Sequence, residues 1–193
     1  NAIFQAYRLL IALNKKASEE NKENFAYQLP ILAPIDSSFS LSNAKEIANL
    51  VRKATLVIDR HQNSHFVDDA YLLIGRGRIL QHDLPNALET FKYINSIPHD
   101  SKTQMAALLE LASIYLFQAD YESAQKVFNY IAENPNGALN EQALLLVQAF
   151  AFQKQNALSK AIPLVEKAAP RAKSRSDRGR LYYILGQMHQ ELG

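Results

Sequence analysis

The densest group of side chains able to do chemistry is His61, His65, Asp68 and Asp69. Two histidines four apart on one helix can chelate a metal ion, and carboxylates can complete its shell. The intervening Gln62-Asn63-Ser64 reads instead as an interhelix turn with Asn63 or Ser64 as the cap, and a turn there destroys the spacing that chelation needs. Asp68 and Asp69 then fall in the first turn of a helix, where the macrodipole favours carboxylates. GRGR, Gly75 to Arg78, has the glycines of a phosphate loop but lies inside a helix-period segment. It lacks the preceding strand and the Lys-Ser/Thr ending that such a loop requires. The basic run KAAPRAKSRSDRGR, Lys167 to Arg180, could meet phosphate or acidic lipid. It has no interleaved aromatics and is interrupted by Asp177, so it reads as a solvated turn between helices. No Ser, His and acid arrangement has a recognisable spacing, and HExxH, GxSxG and CxxC are all missing from the sequence. The reading therefore assigns no catalytic, cofactor-binding or metal residue and expects a protein that is not an enzyme and uses no cofactor.

The elements behind these residues are helical. Hydrophobic residues make up 48% and charged residues 21% of 193, with 6 Gly and 7 Pro, the balance of an ordered Ala- and Leu-rich helical chain. The net charge of +2 comes from 21 Lys plus Arg against 19 Asp plus Glu, too small an excess to announce a nucleic-acid partner. The sequence has no cysteine, which removes disulfides, thiol catalysis and thiolate metal sites. No apolar run approaches the roughly 18 residues of a membrane span. The chain begins at Asn1 without an initiator Met, and it is expected to be a piece of a longer protein.

One spacing runs along most of the chain. ALETFKYINSIP, Ala87 to Pro98, returns as AQKVFNYIAENP, Ala124 to Pro135, 37 residues later. Ala87, Ala124 and Ala161 share that offset, as do Gly75, Ala112, Ala149 and Gly186, and Tyr71, Leu108, Leu145 and Tyr182. Within a unit, Tyr71, Ile74, Gly75 and Arg78 have helical spacing, and Ala87, Phe91 and Ile94 repeat it. Each unit is therefore expected to be two amphipathic helices. Asp83, Asp120 and Asn156 are placed as N-caps of the second helix, and Pro98, Pro135 and Pro170 end it. The small residues mark where two antiparallel helices cross closely, and Phe91 and Phe128 fill the space beside them, Val165 less fully. The pattern resembles the tetratricopeptide repeat, with Tyr71, Ile74, Gly75, Ala87, Phe91 and Pro98 at its marked places, although the period is longer and Arg78 and Gln148 depart from it.

The expected fold class is all-α, an α-solenoid of antiparallel helix pairs. Residues 1–62 read as an atypical first pair, helices from Ile3 to about Glu20 and from Ser42 to Arg60, holding a long insertion at about 22–42. The insertion stretch Asn24 to Asn43 has two prolines in its middle and no helical period. Repeats follow at about 64–100, 101–137 and 138–174, with a partial fourth at 175–193 whose helix lacks its mate. In this repeat family the first helix of each unit lines the concave wall. That wall would carry Leu72, Arg76, Ile79, Leu109, Ser113, Leu116, Phe117, Leu146, Phe150 and Lys154. Either a partner segment lies in that apolar strip, or neighbouring helices or the Asn24 to Asn43 insertion fill it.

A narrower resemblance covers about Asn1 to Ile94. The early helix followed by Leu29-Pro30, then VDDAYLLIG, Val67 to Gly75, leading to ALETFKYI, is similar to the N-terminal part of the SprE/PorW lipoproteins of gliding motility and the type IX secretion system. The resemblance implies a non-catalytic scaffold on the periplasmic side of the outer membrane. Its partners would be other proteins of the machine, with no nucleic acid, and it would meet the membrane only through a lipid anchor whose cysteine this chain lacks. A generic tetratricopeptide adaptor or assembly factor of another complex, in the envelope or the cytoplasm, is the alternative.

Overall fold

Apolar residues three and four apart bury one side of the second helices of the units, whereas the first helices, expected to be amphipathic, bury consecutive residues such as Leu72 to Gly75 and Ala107 to Leu109 because helices pack on more than one side of them. The computed structural model describes residues 2–21, 23–96, 100–134 and 140–193. Among them are ten α-helices and no strand: α1 (Ala2–Glu20), α2 (Ser37–Ser42), α3 (Ala44–Arg60), α4 (Val67–Leu80), α5 (Leu84–Ser96), α6 (Ser101–Phe117), α7 (Tyr121–Glu133), α8 (Glu141–Lys154), α9 (Leu158–Ala168) and α10 (Arg175–Leu192). The expected stops Pro98 and Pro135 lie outside the described residues. Pro170 falls in the short 3-10 turn Ala169–Arg171 that follows α9. The helix expected from Ser42 to Arg60 is α3, starting at Ala44, and the stretch expected to have no helical period contains the short α2, separated from α3 by buried Asn43. The Asn43 side chain donates to the Phe39 carbonyl at 2.9 Å and accepts from Lys16 Nζ at 2.5 Å, giving a local alternative to the helical ladder.

Three interhelix turns are built alike. Among the described residues, His82, Ala119 and Asn156 are the non-glycine residues with positive φ, at 59°, 59° and 55°, and stand 37 apart. In each turn the following N–H reaches five residues back: Asp83 to the Arg78 carbonyl, Asp120 to Tyr115 and Ala157 to Phe152, at 2.8–2.9 Å. The left-handed residue itself donates three back, to Ile79, Leu116 and Gln153. These paired bonds are those of the Schellman motif, which satisfies the last carbonyls of a helix and reverses the chain. So short a turn between packed helices makes α4 and α5, and α8 and α9, antiparallel neighbours. Asp120 caps α7, accepting the Ser123 N–H at 3.0 Å. Asn156 does not cap α9. It occupies the left-handed position, and Ala157 stands at the cap without a side-chain bond.

The chain divides into two compact units, and the division falls inside α6. The first holds residues 1–22 and 35–111, with α3 packed on α1 and on α4. Its core gathers Ile3, Leu10, Ile47, Leu50, Ala54 and Leu73. A Cβ on Gly75 would run into the Phe91 ring, 2.6 Å from Cζ, and one on Gly77 would sit 2.7 Å from Leu50 Cδ2, so these glycines set how closely α4 meets α5 and α3. The second unit holds residues 23–34 and 112–193. Its core includes Ala112, Ala124, Phe128, Ala149, Phe150, Ala161, Val165 and Ile184. Gly186, placed by its spacing at a close crossing, is exposed with nothing within 4 Å of a Cβ there.

Candidate functional site

Three polar side chains of the second unit converge on a stretch of main chain. Two come from α10, which starts at the Ser174 cap (Asp177 N–H to Ser174 Oγ, 2.9 Å) and carries Arg180 and Gln187 on one face, about two turns apart. The third is Gln153 in the last turn of α8, a helix capped by Asn140 through the Ala143 N–H at 3.2 Å. The main chain they hold is residues 23–34, hereafter the strap, which opens with a turn in which Asn24 Oδ1 accepts the Ala26 N–H at 3.1 Å.

Each glutamine brackets one strap residue. Gln187 Nε2 donates to the Tyr27 carbonyl at 2.8 Å, and its Oε1 accepts the Leu29 N–H at 2.9 Å. Gln153 Nε2 donates to the Leu29 carbonyl at 2.8 Å, and its Oε1 accepts the Ile31 N–H at 2.8 Å. A carboxamide offers a donor and an acceptor side by side, so each bracket supplies what the N–H and C=O of one residue in an adjacent parallel strand would supply. The groups used flank Gln28 and Pro30 and spare the N–H of the bracketed residue, so proline fits at position 30. Arg180 closes the far end, donating to the Pro30 carbonyl at 2.7 Å and the Ile31 carbonyl at 3.0 Å while its Nε meets Glu23 at 2.5 Å. Leu29 and Ile31, two apart on the strap, are each 3% exposed and join the core of this unit. Phe25 packs edge-on against Tyr183 with centroids 5.1 Å apart, yet Phe25 and Tyr27 remain largely exposed. The Gln28 Nε2 group is buried without a hydrogen-bond partner.

This arrangement can hold an extended segment through its backbone and two apolar side chains. It contains no nucleophile beside a base. Among the described residues no three His, Cys, Asp or Glu side chains converge as metal ligands. His61 follows α3 and is exposed, while the His65 ring lies 3.9 Å from that of Phe66 in the turn before α4. Asp68 and Asp69 stand in the first turn of α4, and Tyr7 donates to Asp69 Oδ1 at 2.8 Å. Burial, with the Asp69 carboxylate beside it, drives the Tyr7 hydroxyl far above its ordinary value, so the bond persists as a neutral donor to a carboxylate. An open cleft of about 620 Å³ beside His61 is lined by Ile3, Lys53, Leu56, Arg60 and Phe66 among others, with no carboxylate in its wall. In the basic run, Arg171 bonds the Lys167 carbonyl, Arg178 the Ala172 carbonyl, and Arg180 the strap.

The ten wall residues are distributed between the units and differ in exposure. In the first unit Leu72 and Leu109 are buried, Ile79 is half-buried, and Arg76 pairs with Glu110 at 2.8 Å. In the second, Leu116 and Phe150 are buried, Ser113 and Leu146 half-buried, and Lys154 exposed. Phe117 is 39% exposed and its ring packs at a tilt against that of Phe150, centroids 5.1 Å apart. Gln153, Arg180 and Gln187 were not among the expected site residues. Their signal was faint: an apolar Leu29-Pro30-Ile31-Leu32 run without helical period needs something to cover it, and interior glutamines on helices are the groups that bond a main chain. No helix among the described residues is long and apolar enough to cross a membrane. No family model matches this sequence, and no curated protein sequence matches it.

Proposed function

We propose that this chain is a non-catalytic protein–protein interaction scaffold of the tetratricopeptide-like, α-solenoid type. The observation that carries the reading is the α8/α10 cleft, where Gln153 and Gln187 grip a main chain by its peptide groups, the chemistry of a surface that takes up polypeptide. The turn geometry recurring at His82, Ala119 and Asn156 supports the repeat assignment. The narrower reading places the scaffold in a cell-envelope machine. The order of the early helix, Leu29-Pro30, Val67 to Gly75 and ALETFKYI supports membership of the SprE/PorW type, on the periplasmic side of the outer membrane in type IX secretion and gliding motility.

The test is capture from solubilised cell envelope on the immobilised chain, with Phe117→Asp as the altered surface. Phe117 is the most exposed apolar member of the proposed wall, so its charge variant keeps the helical circular-dichroism spectrum and loses partners. Capture of secretion or motility components supports the envelope reading. Specific capture of unrelated assembly proteins supports the generic adaptor, and unchanged capture by Phe117→Asp removes that wall from the account.

A further inference from the structure

We propose that the α8/α10 cleft is a binding site for an extended peptide with apolar side chains at alternate positions, occupied in the resting chain by the strap and open to a partner segment of the same chemistry when the strap lifts. This deepens the scaffold reading and rests on it.

Three observations carry the inference. The grip is directed mainly at backbone: both carboxamide brackets and two of the three Arg180 bonds end on peptide groups, which every sequence presents, the third Arg180 bond going to the Glu23 carboxylate. The side-chain requirement is narrow, because among strap residues only Leu29 and Ile31 are buried, with proline allowed between them. The strap is also an imperfect occupant, since it buries the Gln28 amide nitrogen without a partner. An unsatisfied buried donor weakens the docked state, and a segment with an aliphatic residue at that position escapes the penalty. The ligand class is therefore an extended Φ-x-Φ segment, with proline tolerated at x and an aliphatic residue preferred just before the first Φ.

The probe is a fluorescent synthetic peptide copying residues 25–32, read by anisotropy in trans. The variant Leu29→Ser with Ile31→Ser frees the strap in the full chain and keeps the brackets. It is expected to bind the probe, and the unaltered chain to bind at least about tenfold more weakly because its tethered strap competes at high effective concentration. Adding Gln153→Ala and Gln187→Ala to the freed chain abolishes binding. Absence of probe binding to the freed, helical chain overturns the proposal, as does binding that survives loss of both glutamines. If the freed variant loses its helical spectrum, the unaltered chain is titrated with the same peptide and the Gln153 and Gln187 carboxamide NMR signals are followed. Shifts at both support the site, and no shift up to the peptide's solubility overturns it. The probe needs no natural partner, so its failure leaves envelope capture standing and a failure of capture leaves the probe result standing.

Discussion

A methyl group at Gly75 would run into the Phe91 ring, whereas at Gly186 it would meet nothing within 4 Å. The two glycines share a place in the 37-residue pattern and have opposite consequences. Gly75→Ala is expected to destabilise by about 1–3 kcal/mol, the ordinary range for overpacking, and Gly186→Ala to stabilise by about 0.5–1 kcal/mol through the helix preference of Ala. Urea unfolding of both variants checks the pair of signs. Ala119 raises a related point. It holds φ of 59° at a Schellman position where glycine has no steric penalty. Replacing it by Gly removes that strain but adds freedom to the unfolded chain, so Ala119→Gly should raise stability by about 0.5–1 kcal/mol, read as an increase in Tm.

At the scale of elements, the helix starts carry the pH dependence. The Asp120 carboxylate, bonded by Ser123, and the Asp100 carboxylate, bonded by the Thr103 hydroxyl and the Lys102 and Thr103 N–H groups, are both held below the usual carboxylate range. A folded value below the unfolded one, near 4, means that the contribution is present above that pH and lost as pH falls through the folded value. Tm should be flat from neutrality to about pH 5 and fall below about pH 4, more shallowly in Asp100→Asn and Asp120→Asn, which keep a capping oxygen without the titration. The element boundaries also show what the sequence makes legible. The 37-residue spacing locates α4 to α9, and Asp120 is readable as a cap because the N–H it accepts lies in its own next turn. Asn156 was misassigned because Asn suits both a cap and a left-handed turn, and only the backbone decides between them. The strap was visible as a segment without helical period, but its grip could not be read, since Gln153 and Gln187 lie more than 120 residues from Leu29 and carry no motif.

For the whole molecule, the near-balance of 21 basic and 19 acidic residues leaves little long-range field to steer partners. Capture of envelope proteins should therefore be unchanged by Lys173→Ala with Arg175→Ala, two exposed cations of the basic run, and should weaken only slightly with added salt. A steep salt dependence would move attention to that run. Burial of Leu72, Leu109, Leu116 and Phe150 leaves much of the expected wall without side chains to offer, whereas the α8/α10 cleft holds a stretch of main chain through Gln153 and Gln187. The most direct test of its central claim is residue-resolved hydrogen exchange on the unaltered chain. The Leu29 and Ile31 amides should be protected by Gln187 and Gln153 yet exchange through local opening well before the core amides of α8 and α10. Exchange as fast as an unstructured loop would mean that the strap is not docked, and exchange as slow as the helices would mean that it never leaves.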